Sequence, residues 1–225
     1  MTILQDIPWT FDLRAFYDET GIGEDDELAE EGRRFAEAAA PLLKPKAVYT
    51  EAFVEALEDT SVIVSGVRFT SAVLRKNMEG IQRVFPFVAT CGIELEQFDL
   101  SPFDYLAFYW VDKLKELALA QGSAWLHRRL VEETGFQKLS SMNPGSGNVD
   151  VWPLRQQREL FSLLPGGAEA IGVTLTDTCL MTPNKTVSGI FFPSEVNYMN
   201  CKVCTRKECP NRRAAYNEVM ATAGH

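Results

Sequence analysis

Three cysteines, at 201, 204 and 209, fall in the short segment NCKVCTRKECPNRR with C-x2-C-x4-C spacing, and a fourth, Cys179, lies in DTCLMTPNK. Thiolates are ligands for soft metal centres, and four of them supply either a cubane iron–sulfur cluster or a structural zinc. The spacing lacks the paired CxxC knuckles of common zinc sites, and proline follows Cys209, as in many cluster-binding runs. The expected site is a 4Fe-4S cluster on Cys179, Cys201, Cys204 and Cys209, with zinc as the alternative. The remaining thiol, Cys91, reads as a small core residue, a role equally open to an unliganded Cys179. Five basic side chains accompany the motif: Lys202, Arg206, Lys207, Arg212 and Arg213. They would either offset cluster charge at a solvated surface or steer an acidic partner such as a ferredoxin or a corrinoid protein.

A second candidate is the loop SSMNPGSGNVDVWPL, where Pro144, Gly145, Ser146 and Gly147 give a backbone able to approach a ligand closely. It lacks the Lys and Ser/Thr ending of a nucleotide P-loop, and no GxGxxG follows a strand. A simple turn before the next helix reads equally well. His127 lies on a long helical stretch, far from the only other histidine at 225, and is expected to be structural.

The elements that must position these residues read as mixed α and β. Residues 24–40 suit a helix ended by Pro41 and Pro45, its acidic start GEDDELAEEG favoured near the positive end of the helix dipole. A β-prone run, SVIVSGVRF, precedes a helix around TSAVLRKNMEGI and a buried strand at VFPFVATCG. The longest helical signal is DYLAFYWVDKLKELALAQGSAWLHRRLVEET, with Leu106, Tyr109, Trp110, Leu114 and Leu117 at helical spacing as a core stripe. A helix, PLRQQRELFSLL, and two strands, IGVTLT and TVSGIFF, complete the core.

With 225 residues, 46% of them hydrophobic, the chain can bury one large core or two small ones. A net charge of −9 opposes nucleic acid or anionic lipid as the main partner. No run approaches a membrane span, and MTILQDIPWTFDLRAFYDE lacks a secretory pattern, so a cytoplasmic location is expected. The odd cysteine count suits that reducing compartment better than a disulfide framework.

The ordered set VATCGIELE, the long helix, PGSG before a WPL helix, and IGVTLTDTCLM leading to VSGIFF resembles the reactivation domain of cobalamin-dependent methionine synthase, and more closely its stand-alone relatives. The resemblance spans about residues 45–193 and is most specific from Pro144 to Gly189. It implies an α+β fold with a twisted antiparallel sheet, flanked by an N-terminal helical segment at 1–44 and a cysteine-rich tail at 194–225. It also implies a corrinoid-binding methyltransferase partner, whose cob(II)alamin is reduced and remethylated with S-adenosylmethionine.

The family's loop reads Arg-x-x-Pro-Gly-Tyr, whereas Ser141 and Ser146 stand at its arginine and tyrosine positions here, and Ala120 at an acidic one. Losing a guanidinium removes a charge-assisted contact of about 1.5–3 kcal/mol. S-adenosylmethionine is therefore expected to bind weakly or not at all. The combined reading is an iron–sulfur reductive activator, or accessory protein, of a corrinoid methyltransferase system. The alternatives are S-adenosylmethionine-dependent reactivation and a zinc-stapled adaptor without catalysis.

Overall fold

The computed structural model describes residues 1–23, 25–103, 105–146, 151–194, 198–206, 208–209, 212 and 214–218. Gly147, Lys207 and Arg213 lie outside the described residues.

The organising element is β6, Arg83–Thr90, whose run RVFPFVAT is buried almost throughout. Alternate side chains of a strand face opposite ways. Phe85, Phe87 and Ala89 pack with Leu126 and Leu130 of α4, the 28-residue helix Ala107–Thr134. Val88 joins Leu164, Ala168 and Ile171 in a different cluster, and Val84 joins Trp152 and Leu160 in another. A strand covered on both faces must be apolar at both parities, and this one is.

Antiparallel partners flank β6 on both edges. Its C-terminal half pairs with β2, Lys46–Tyr49, and its N-terminal end with β3, Ala52–Leu57. Beyond β2 lies β1, Thr2–Leu4, so the first residues of the chain join the sheet. Beyond β3 come β4, Ser61–Val64, and β5, Val67–Thr70. The run read as one β-prone stretch is thus a hairpin, turned at Ser65 and Gly66, both with positive φ as a tight hairpin turn requires. Along the other edge of β6 runs β10, Thr186–Pro193, which also carries β7, Leu139–Met142. The pair β8, Thr174–Leu175, and β9, Met181–Thr182, forms a separate ribbon.

The helices seal the faces. Those named α1, Leu13–Thr20, and α2, Ala29–Ala39, pack on the N-terminal half of α4 around Phe16, Phe35 and Trp110. Three shorter ones are α3, Ala72–Asn77; α5, Gln157–Ser162; and α6, Gly167–Ala170. Trp110 and Leu114 of the expected stripe are buried, but Tyr109 is 46% exposed. No helix among the described residues is long and apolar enough to cross a membrane.

Candidate functional site

The seam between β7 and β10 ends at the glycine loop, and three polar side chains and one backbone bond fix that loop. Asn143 donates from Nδ2 to the Ser188 carbonyl at 2.7 Å, tying the end of β7 to β10. The Gly145 N–H donates to the Trp152 carbonyl at 2.8 Å, while Gly145 holds φ 75°, a conformation that favours glycine. Trp152 is buried and donates its indole N–H to Gln156 Oε1 at 3.0 Å. Gln156 in turn brackets the backbone of Thr70, accepting from its N–H and donating to its carbonyl, each at 3.0 Å. The loop is held by its own backbone and by the core, so Pro144, Gly145 and Ser146 present a fixed surface.

That surface borders a cavity of about 650 Å³. Its lining comes from β7 and β10, with Ser140, Ser141 and Ser188, from Gln157 of α5, and from the C-terminal tail, with Tyr198, Cys201, Cys204, Arg206 and Cys209. The two candidate sites, some sixty residues apart in the chain, therefore share one space. The tail enters through α7, Asn200–Val203, anchored by Tyr198 and Val203, which are buried among Met142, Ile190 and Phe192.

Arg212 shapes the cysteine loop from behind. Its Nη1 donates to the carbonyls of Cys201 at 3.0 Å and Ala214 at 3.2 Å; its Nη2 donates to the carbonyl of Cys204 at 3.3 Å and to that of Arg206. One planar fork thus satisfies four carbonyls of a segment that has little secondary structure of its own. This basic residue is engaged in the loop rather than standing as a solvated charge.

The five cysteines separate by place. Cys201, Cys204 and Cys209 are partly exposed and line the cavity. Cys179 is buried and does not line it; its Sγ lies 3.7 Å from the Arg155 carbonyl, in a turn where Cys179 itself has φ 63°. Cys91 has no exposed surface, sits in the α2–α4 cluster, and has its thiol pushed up to about 12 by that burial. No disulfide links them. Among the described residues no three His, Cys, Asp or Glu side chains are already gathered into a metal-holding group.

His127 also borders the cavity, but its Nε2–H donates to the Leu139 carbonyl at 2.9 Å and its ring meets Phe191 edge-on. It fastens α4 to β7, a structural role. Two hydroxyls on cavity-lining residues escaped the sequence reading. Tyr198 and Ser140 are 4% and 5% exposed, and neither hydroxyl has a hydrogen-bond partner. Burial alone pushes the Tyr198 phenol up, keeping it a protonated donor.

No protein-family profile and no curated protein matches the chain. Among solved structures it is similar to the "MetH Reactivation Domain bound to AdoHcy", with a TM-score of 0.58, 16% identity, and coverage of 89% of this chain and 81% of that one. The α+β architecture with its antiparallel sheet is thereby that of a MetH reactivation domain.

Proposed function

We propose that this protein serves a corrinoid-dependent methyltransferase as a reductive activator, with an iron–sulfur cluster on Cys201, Cys204 and Cys209. The observation that carries the reading is the meeting of these three thiols with the reactivation-type glycine loop around one cavity. The fold supports the corrinoid partner, since the solved neighbour is a MetH reactivation domain.

The surroundings suit a thiolate-held cluster. Such a group carries net negative charge, and Arg206 at the cavity and Arg212 behind the loop oppose it. When bound, the cluster supplies one low-potential electron. A cluster held by Cys201, Cys204 and Cys209 would supply that electron for the reduction of cob(II) to cob(I) on the partner, with an external donor of the ferredoxin class returning it. Position 141 argues for electron delivery rather than tight S-adenosylmethionine binding. Ser141 lines the cavity but offers no charge to a carboxylate.

The test is anaerobic iron and sulfide analysis, followed by reduction of a cob(II) corrinoid protein with titanium(III) as donor. The iron-loaded protein should accelerate cob(I) formation and the Cys204→Ser protein should not. A colourless protein with one zinc per chain, or equal rates with and without the cluster, would overturn the reading. Micromolar S-adenosylmethionine affinity by calorimetry would instead favour methyl-donor-dependent reactivation.

A further inference from the structure

A smaller cavity, of about 330 Å³, lies where the N-terminal segment meets the end of α2. Its described lining is Trp9, Phe11, Glu37, Ala40 and Pro41, none of which borders the space around the glycine loop. Two aromatic rings, two small apolar side chains and one carboxylate make a restricted chemistry, and the reductive role makes no use of it.

The rings are set in place by the core. Thr10, between them, has its backbone bracketed by Gln121 of α4, which accepts from the Thr10 N–H at 3.0 Å and donates to its carbonyl at 2.9 Å. Trp9 and Phe11 remain half-buried, with ring centroids 6.4 Å apart and planes inclined at 62°, and Phe11 rests against buried Phe16. Two inclined rings form a corner. Holding both before a ligand arrives removes part of the ordering cost of binding. Glu37 is exposed and is the one charged side chain of the described lining. One turn earlier on α2, Arg33 gives its Nη2 to both oxygens of Glu30, at 2.8 and 2.6 Å, and acts on Glu37 through space.

An aromatic face attracts cations through its negative quadrupole, tryptophan most strongly, and a carboxylate adds a full opposite charge. The type of cation follows from the donors it would bring. A primary ammonium carries three N–H groups that need acceptors, and among the described side chains of the lining Glu37 alone accepts. A quaternary ammonium has no N–H to satisfy, and its methyl groups pack on rings and proline. We propose that this corner binds a small quaternary ammonium compound, its methyl groups against Trp9, Phe11 and Pro41 and its charge opposite Glu37. A cavity of about 330 Å³ holds such a molecule whole, at the small end of ligand sites. Binding is non-covalent and moves no electron or proton, so the site is independent of the cluster.

The experiment titrates the full chain with choline, by calorimetry and by tryptophan fluorescence at fixed ionic strength. The control is the neutral analogue of choline with carbon in place of the charged nitrogen. Choline should bind about tenfold more tightly than that analogue, the combined effect of ring and carboxylate on the charge. Trp9→Leu and Glu37→Gln should each weaken choline roughly threefold to fivefold. Glu37 is exposed, so Glu37→Gln should keep the melting temperature and separate a lost contact from a lost fold. Raising salt from low to physiological should weaken choline and leave the neutral analogue unchanged.

Equal affinity for choline and its neutral analogue would overturn the cation assignment. Affinity unchanged in both variants would place the binding elsewhere and overturn the site, and absence of choline binding up to about 20 mM would overturn the proposal outright. A trimethyllysine peptide bound far more tightly than choline would put a methylated protein tail in the corner and overturn the small-molecule assignment. Each of these results leaves the reductive function standing.

Discussion

Gly189, midway along β10, is where the sheet and the candidate site depend on one missing methyl group. A Cβ there would lie 2.4 Å from the Met142 carbonyl oxygen, 2.5 Å from Asn143 Nδ2 and 3.1 Å from Phe87. Phe87 is its neighbour across the β6 pairing, and Met142 belongs to β7, so alanine would press on both flanking strands. The nearest atom is backbone and cannot rotate away. Overpacking of this type costs about 1–3 kcal/mol, and displacing Asn143 adds about 1 kcal/mol for its bond to Ser188. Reduced freedom of the unfolded chain returns about 0.4–1 kcal/mol. The net loss should be about 1–3.6 kcal/mol, lowering Tm by roughly 2–14 °C for a chain of this size. Gly21→Ala is the control. Its φ is 74°, but a Cβ there meets nothing within 4 Å, so it should cost only about 1 kcal/mol of backbone strain. Thermal melts of the metal-free proteins by circular dichroism compare them directly. A Gly189→Ala protein as stable as Gly21→Ala would refute the close-packing argument.

Arg212→Lys should leave Tm nearly unchanged but make a reconstituted cluster several-fold shorter-lived under air, because an ammonium cannot serve four carbonyls at once; iron content against time measures this. Cys91, with its thiol near 12 against an ordinary 9.0, keeps its proton in the fold at pH values where the unfolded chain has lost it. The native state then binds more protons between about pH 9 and 12, so stability should fall as pH rises through that window, by up to ~1.4 kcal/mol per pH unit. Urea titrations at pH 8 to 10 should show the decline, and Cys91→Ala should flatten it. Lys115 is buried and paired with Glu96 at 2.7 Å. Glu96→Ala should destabilise by about 2–3 kcal/mol by stranding the ammonium, whereas Lys115→Met should cost less; denaturant midpoints rank the two.

The parts of the fold legible in sequence were those with one dominant environment. β6 shows as a continuous apolar run because both its faces are covered, and α4 by its length and spacing. The strand AFVEAL at 52–57 has no such signal: alanine, glutamate and leucine favour helix, and only pairing with β4 and β6 makes it β3. β1 was missed for the same reason, being three residues whose identity as strand comes from β2. IGVTLT and TVSGIFF look like partners along the chain, yet the first pairs with β9 inside their connecting loop. At the site, cysteine spacing shows which thiols are neighbours but carries no information on which distant segment meets them. Tyr198 and Ser140 give no sequence signal, since an unsatisfied hydroxyl exists only once its surroundings are built. Arg212 was hidden among other basic residues, and only the four carbonyls at its fork distinguish it.

The fork of Arg212 also bears on how the tail lets go. A guanidinium keeps its charge across the whole pH range in which proteins fold. A knot tied by a carboxylate or imidazole would loosen with acid; this one ignores acidity altogether. The four carbonyls of Cys201, Cys204, Arg206 and Ala214 are consequently held by a group whose charge does not change with acidity, so this part of the cysteine loop keeps its shape where a carboxylate-tied turn would open.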